Sequence, residues 1–99
     1  MRDISIAAYK AFVNKKPFRR NNTHVWVDND GDVYMSLFGH CIARTLEGRI
    51  LINHCGYPTA TTVDRLKQFG VKLRRSRGTI IVNESFVMKE GWLDINNIH

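Results

Sequence analysis

The sequence contains no apolar run that approaches the ~20 residues required for a membrane-spanning helix. Its N-terminal stretch has no apolar core followed by a cleavage site, so we expect no secretory signal and a cytoplasmic location. The sequence has only two cysteines, and a disulfide between them is disfavoured because the expected compartment keeps thiols reduced. Repeats, linkers and low-complexity segments are also missing, so residues 1–99 are expected to form a single domain.

Acidic residues are missing from two long stretches, residues 4–27 and residues 65–83. These stretches hold 11 of the 15 Lys and Arg residues, and the net charge of the chain is +6. The uneven distribution predicts a polyanionic partner, either nucleic acid or the acidic surface of a protein. A solvated surface that has no partner is the alternative interpretation.

Enzyme motifs are missing too: there is no P-loop, nucleophile elbow, HExxH or paired-carboxylate pattern. We therefore expect no enzyme and no cofactor, with a small nuclease as the remaining enzymatic alternative. Two His-Cys pairs do supply the residue types of a tetrahedral zinc site, at His40, Cys41, His54 and Cys55. Adjacent residues of a strand point to opposite faces, however, and the usual two-to-four-residue ligand spacing is missing. Buried free thiols are thus the preferred interpretation, and zinc is the alternative.

A short capped helix is predicted over residues 59–70. Pro58 disfavours the helical conformation at the residue before it, so the helix can begin only afterwards. Thr61 and Asp64 fit a capping box, in which the two residues satisfy each other's backbone amides. The helix has two rival N-caps, Thr59 and Thr62.

The rest of this helix predicts a buried stripe and a defined end. Gly70 supplies the left-handed residue that ends a helix, and Arg65 is expected on the outer side. The stripe itself consists of Val63, Leu66 and Phe69.

The remaining patterns predict an α+β fold in the order helix, meander, helix, hairpin. The N-terminal helix carries apolar residues on two sides, which allows a homodimer contact as an alternative to packing against the sheet. In the last segment Phe86, Met88 and Trp92 are expected to pack. The segments are an N-terminal helix and basic loop (1–22), a four-stranded antiparallel meander (23–55), a basic β-hairpin (71–83) and a tail (84–99).

The short helix and the basic hairpin together resemble a recognition helix and a wing, although strands precede them where a winged helix needs helices. Their cations predict a surface that contacts phosphates without reading bases. The predicted contact residues are Arg65, Lys72, Arg74, Arg75 and Arg77, extended by Lys15, Lys16, Arg19 and Arg20. Stacking faces, where exposed, would come from Trp26, Tyr34, Phe38 and Tyr57.

The run from Gly56 to Leu66 resembles a GY-x-T-x-TT-x-x-RL signature of short tailed-bacteriophage proteins. Asn22-Thr23 and the run Phe38-Gly39-His40-Cys41-Ile42-Ala43 are also similar to that group, although the group commonly has histidine before this glycine and asparagine after it. The resemblance implies a phage origin and action in the cytoplasm of a bacterial host, and it implies no particular activity.

These observations lead to two hypotheses of function. The first is a small basic phage accessory protein that binds nucleic acid non-specifically through its cationic hairpin and helix. The alternative is a protein–protein inhibitor of a host or defence-system protein with an acidic surface, because small phage accessory proteins commonly inhibit host machinery.

Overall fold

The computed structural model describes residues 2–97 and shows an α+β protein with two α-helices and two antiparallel sheets. The predicted α+β class is confirmed. Helix α1 spans Arg2–Val13 and helix α2 spans Ala60–Leu66. Residue 1 of the predicted N-terminal segment and residues 98–99 of the predicted tail lie outside the described residues.

Nine strands form the two sheets. The larger sheet has six strands in the order β1-β2-β3-β4-β5-β9, and the smaller has three in the order β6-β7-β8. The strand bounds are β1 Phe18–Arg20, β2 Thr23–Val27, β3 Val33–Leu37, β4 His40–Leu46, β5 Arg49–Ile52, β6 Leu73–Ser76, β7 Thr79–Val82, β8 Phe86–Val87 and β9 Leu93–Asp94.

Strands β1, β8 and β9 lie where the sequence predicts a loop and a tail. They have only two or three residues each, so they contain no alternation from which a strand could be predicted. Their pairing with the neighbouring strands defines them. The packing expected in the last segment is confirmed for Met88, which is buried, and wrong for Phe86 and Trp92, which are 39% and 44% exposed.

A single cluster of buried side chains connects both helices with both sheets. The predicted stripe of α2 is confirmed, because Val63, Leu66 and Phe69 are all buried in this cluster. Phe69 packs edge-on against Tyr9 and Phe12 of α1, with ring centroids 5.1 and 5.0 Å apart. Helix α2 itself contacts α1, β4 and β6.

The ends of α2 differ in part from the prediction. Thr59 is the N-cap, and its side-chain oxygen accepts a hydrogen bond from the Thr62 amide at 3.2 Å. The capping box of Thr61 and Asp64 is therefore wrong: the helix begins two residues earlier than that box requires. A 3-10 turn, Lys67–Phe69, extends the helix to Gly70, whose φ of 83° confirms the predicted left-handed end.

Within residues 2–97 no helix has both the length and the apolar character to cross a membrane.

Candidate nucleic-acid interface

The hairpin of β6 and β7 exposes a row of cations. Leu73 pairs with Val82 and both are buried, whereas the side chains of the cations in and beside β6 are exposed. The two-residue period of a strand places Lys72 and Arg74 on the face opposite to Leu73. Arg75 lies on the same face as Leu73, opposite the buried Ile80, and is nevertheless exposed. The exposed cations of the hairpin are Lys72, Arg74, Arg75 and Arg77.

Two of these cations have partners within the chain. Arg74 Nε donates to both carboxylate oxygens of Glu84, at 3.0 and 2.8 Å. This contact raises the pKa of Arg74 and lowers the pKa of Glu84. Arg75 Nε donates to the carbonyl oxygen of Pro58 at 3.2 Å, which holds its guanidinium beside the start of α2. The charge of Arg74 is thus offset, while Arg75 keeps its full charge.

Lys67 belongs to the same surface and was not among the predicted contact residues. Together with Arg74 and Arg75 it lines an open groove of about 300 Å³ between α2 and β6, and Asp64 is an acid in the lining. The seven-residue helix followed by a 3-10 turn brings Lys67 to the hairpin side. The helical pattern of the sequence places Lys67 off the buried stripe. It does not indicate that Lys67 faces the hairpin, because that depends on how α2 packs.

Arg65 does not contribute to this surface, so its predicted outward position is wrong. Its side chain is fully buried, and its guanidinium connects α1 with the turn between β1 and β2. Arg65 Nε donates to Thr23 Oγ1 at 2.9 Å, and one terminal nitrogen donates to Ser5 Oγ at 2.7 Å. The same nitrogen lies 3.3 Å from Asp64, and the other donates to Asn22 Oδ1 at 3.3 Å. Burial lowers the pKa of Arg65, and the Asp64 carboxylate opposes this effect.

The predicted extension through the basic loop divides into two places. Lys15, Lys16, Arg19 and Arg20 are all exposed. Lys15 lines a pocket together with three acids, which are Asp30, Asp32 and Glu47. Arg19 instead lines a pocket beside Phe38 and His24.

Three of the four side chains of the two His-Cys pairs make hydrogen bonds: His54, Cys55 and Cys41. The Gly56 amide donates to His54 Nδ1 at 2.9 Å, so the other ring nitrogen carries the proton that it shares with the Met88 carbonyl at 3.2 Å. Both nitrogens of this buried histidine are therefore in use. Cys55 Sγ donates to the Cys41 carbonyl oxygen at 3.0 Å. Both cysteines are free but half-buried, so the prediction of buried thiols is wrong in its burial. Their partial burial still raises the pKa of both thiols, which disfavours the thiolate that a metal needs.

Within residues 2–97 no group of three or more His, Cys, Asp or Glu side chains is placed to hold a metal ion. His40 itself packs against the ring of Tyr57, with centroids 4.6 Å apart. The structure thus gives the zinc alternative no ligand set among the described residues.

The four aromatic residues proposed as stacking faces differ in how free their rings are. Trp26 and Tyr34 lie opposite each other on β2 and β3 and stack with centroids 5.3 Å apart. His24 packs against Trp26, and the Arg44 guanidinium lies 4.9 Å from the centre of the Tyr34 ring. The ring faces of Trp26 and Tyr34 are therefore covered by neighbouring side chains of the protein, and these contacts stabilise the strand pair.

The other two aromatic residues are the most exposed large apolar side chains of the described chain: Phe38 at 69% and Tyr57 at 52%. Both border a cleft of about 280 Å³, which we call the aromatic cleft. Thr59 and Thr62 add hydroxyl groups to its wall. The remaining lining side chains are Leu37, His40, Ile42 and His54.

A family model described as Kyanoviridae Gp96 protein matches residues 1–95 of this chain. Among curated proteins and solved structures, none matches the chain.

Proposed function

Because the chain belongs to the Kyanoviridae Gp96 protein family, a bacteriophage family, we propose that it is a phage accessory protein that binds nucleic acid non-specifically. The observation that carries the proposal is the cationic surface of the hairpin and α2, where exposed side chains of both elements line one groove. Lys67, Arg74 and Arg75 line this groove, and Lys72 and Arg77 are further exposed cations of the hairpin; we call the five together the cationic groove.

The chemistry of the cationic groove suits phosphates better than base edges. Its cations are long and exposed, and among the described residues the acids next to them are Asp64 in the lining and Glu84 on Arg74. Lys and Arg side chains of this kind contact phosphates and release counterions, which gives affinity without sequence information. Action in the cytoplasm of the bacterial host is part of this proposal.

The test is a titration of labelled duplex and single-stranded DNA at several salt concentrations. Four or so phosphate contacts would give a log–log slope of roughly −3 to −4 on duplex DNA. Replacing Lys72, Arg75 and Arg77 by Ala should weaken binding equally for unrelated sequences and reduce the magnitude of that slope. The melting temperature should change little, because exposed charges contribute little to folding.

A matched control removes the same charge elsewhere: Lys10, Arg49 and Lys89 are also exposed and lie outside the cationic groove. Their replacement by Ala should reduce affinity much less than the groove variant does. If the parent protein fails to bind at ~50 mM salt, where electrostatic association is strong, the proposal is wrong. The inhibitor of an acidic host protein would then become the leading hypothesis.

A further inference from the structure

The aromatic cleft combines features that the cationic groove does not have. Its lining is mainly apolar, its rim carries the two most exposed large apolar side chains of the described chain, and hydroxyl groups of two threonines lie in its wall. At about 280 Å³ it is just below the size of pockets that hold a drug-sized ligand. It is therefore suited to one planar ring system rather than to a larger ligand.

Phe38 occupies a position that disfavours a bulky residue. It is the first residue of the two-residue turn between β3 and β4, and its φ is 51°, followed by 81° at Gly39. Asn or Asp is preferred there, because a large side chain is strained at positive φ. Its amide donates to the Asn22 carbonyl at 2.8 Å, which holds the turn in place. A strained, exposed ring at a turn contributes little to folding, so the role of Phe38 is better explained by contact with a binding partner.

Two arginines lie near the aromatic cleft, and one acid, Glu90, lies beside Gly56 next to Tyr57. Arg19 lines the pocket next to Phe38, and Arg75 is held on the carbonyl of Pro58, between Tyr57 and Thr59 of the cleft. Among the described residues that line the cleft or the pocket next to Phe38, none is acidic. This charge arrangement favours an occupant whose ring is attached to phosphates over an apolar side chain of an acidic protein.

We propose that the aromatic cleft binds one unpaired nucleobase of a single-stranded nucleic acid, with flanking phosphates contacted by Arg19 and Arg75. The inference rests on the proposed function, because it assumes that the cationic groove holds the same strand. Phe38 and Tyr57 would provide ring faces for stacking, which tolerates every base. The cleft thus adds a preference for unpaired strands to a phosphate-binding surface.

The test compares three labelled probes of equal length at one salt concentration: a thymidine strand, an abasic strand with the same phosphates, and a duplex. Phe38→Asn and Tyr57→Ala should each weaken binding of the thymidine strand roughly 5- to 150-fold, the range for losing one stacked base. Binding of the duplex and of the abasic strand should stay within about twofold. Tyr57→Phe should retain the affinity of the parent because it keeps the ring.

Two controls separate this effect from misfolding. Phe38→Asn should melt at the same temperature as the parent or higher, since Asn is favoured at this turn position. Phe86→Ala removes an exposed ring elsewhere and should leave binding of the thymidine strand unchanged. A uridine strand run in parallel shows whether the cleft accepts RNA as well as DNA.

The outcomes distinguish the two proposals. If no probe binds, the proposed function is wrong and the nucleobase assignment is wrong with it. If the probes bind but Phe38→Asn and Tyr57→Ala weaken all three alike or none, only the nucleobase assignment is overturned. Equal affinity of the parent for thymidine and abasic strands would have the same meaning and would leave a protein side chain as the occupant.

Discussion

Arg65 shows how one side chain can hold several segments together. Its guanidinium reaches Ser5, Asn22 and Thr23, which are 60, 43 and 42 residues away in the chain. Five N–H donors in a fixed fork suit such a set of oxygens, which a lysine could not contact in the same way. The residue therefore stabilises the position of α2 against α1 and the turn between β1 and β2.

We expect Arg65→Ala to reduce the free energy of unfolding by about 1–3 kcal/mol, the usual cost of leaving buried hydrogen-bonding groups without their partner. The buried Ser5 and Thr23 oxygens and the half-buried Asn22 oxygen would lose their common donor. Arg65→Lys should fall between parent and Ala variant, because it keeps the charge but not the fork. Urea unfolding measures all three, with Lys67→Ala as the exposed control within about 0.5 kcal/mol. An Ala variant as stable as this control would contradict the structural role of Arg65.

The buried position of Arg65 could not be predicted from the sequence, for a physical reason. Arginine is mostly a surface residue, and the apolar stripe of Val63, Leu66 and Phe69 accounts for only one side of α2. Arg65 lies on a second buried side of α2. The oxygens that accept its hydrogen bonds belong to other segments, and only tertiary packing brings them near the helix. The same limit applies to Lys67, whose place beside the hairpin follows from the packing of α2.

Among the secondary-structure elements, α2 was predicted well in its interior and its end, and less well at its beginning. The alternatives for the N-cap were all threonines, and threonine at each position has the same local chemistry. Only the observed bond from the Thr62 amide to Thr59 decides between them. Gly70 was predictable because few residues other than glycine end a helix in the left-handed conformation without strain.

We expect Thr59→Ala to reduce the free energy of unfolding by about 1 kcal/mol, because it removes the N-cap of α2. Thr61→Ala makes the same chemical change two residues later and should cost less than about 0.5 kcal/mol. Thermal or urea unfolding of the two variants side by side measures the difference. If Thr61→Ala proved the more destabilising, the capping box would regain support.

For the whole molecule, the ion pair between Arg74 and Glu84 limits the charge that the cationic groove can present. Glu84→Gln removes the acid and leaves Arg74 without its partner. We expect tighter binding to duplex DNA at low salt and a salt slope that steepens by about one unit, the change typical of one further phosphate contact. Glu47→Gln makes the same charge change at an exposed site outside the groove and should change the slope much less. Equal effects of the two variants would show that only net charge matters.

Two arginine pairs lie on strands at the edges of sheets: Arg19 and Arg20 on β1, and Arg74 and Arg75 on β6. An edge strand offers unpaired backbone groups to any other strand that approaches it, and exposed like charges repel such an approach. Three of these side chains, Arg19, Arg74 and Arg75, are ones that we propose to bind phosphates, and they therefore also oppose edge-to-edge aggregation of this protein with its own copies. Phosphate binding and repulsion between edge strands thus depend on the same arginines. A bound polyanion that neutralises these arginines also removes the repulsion and allows neighbouring copies to come close along a strand.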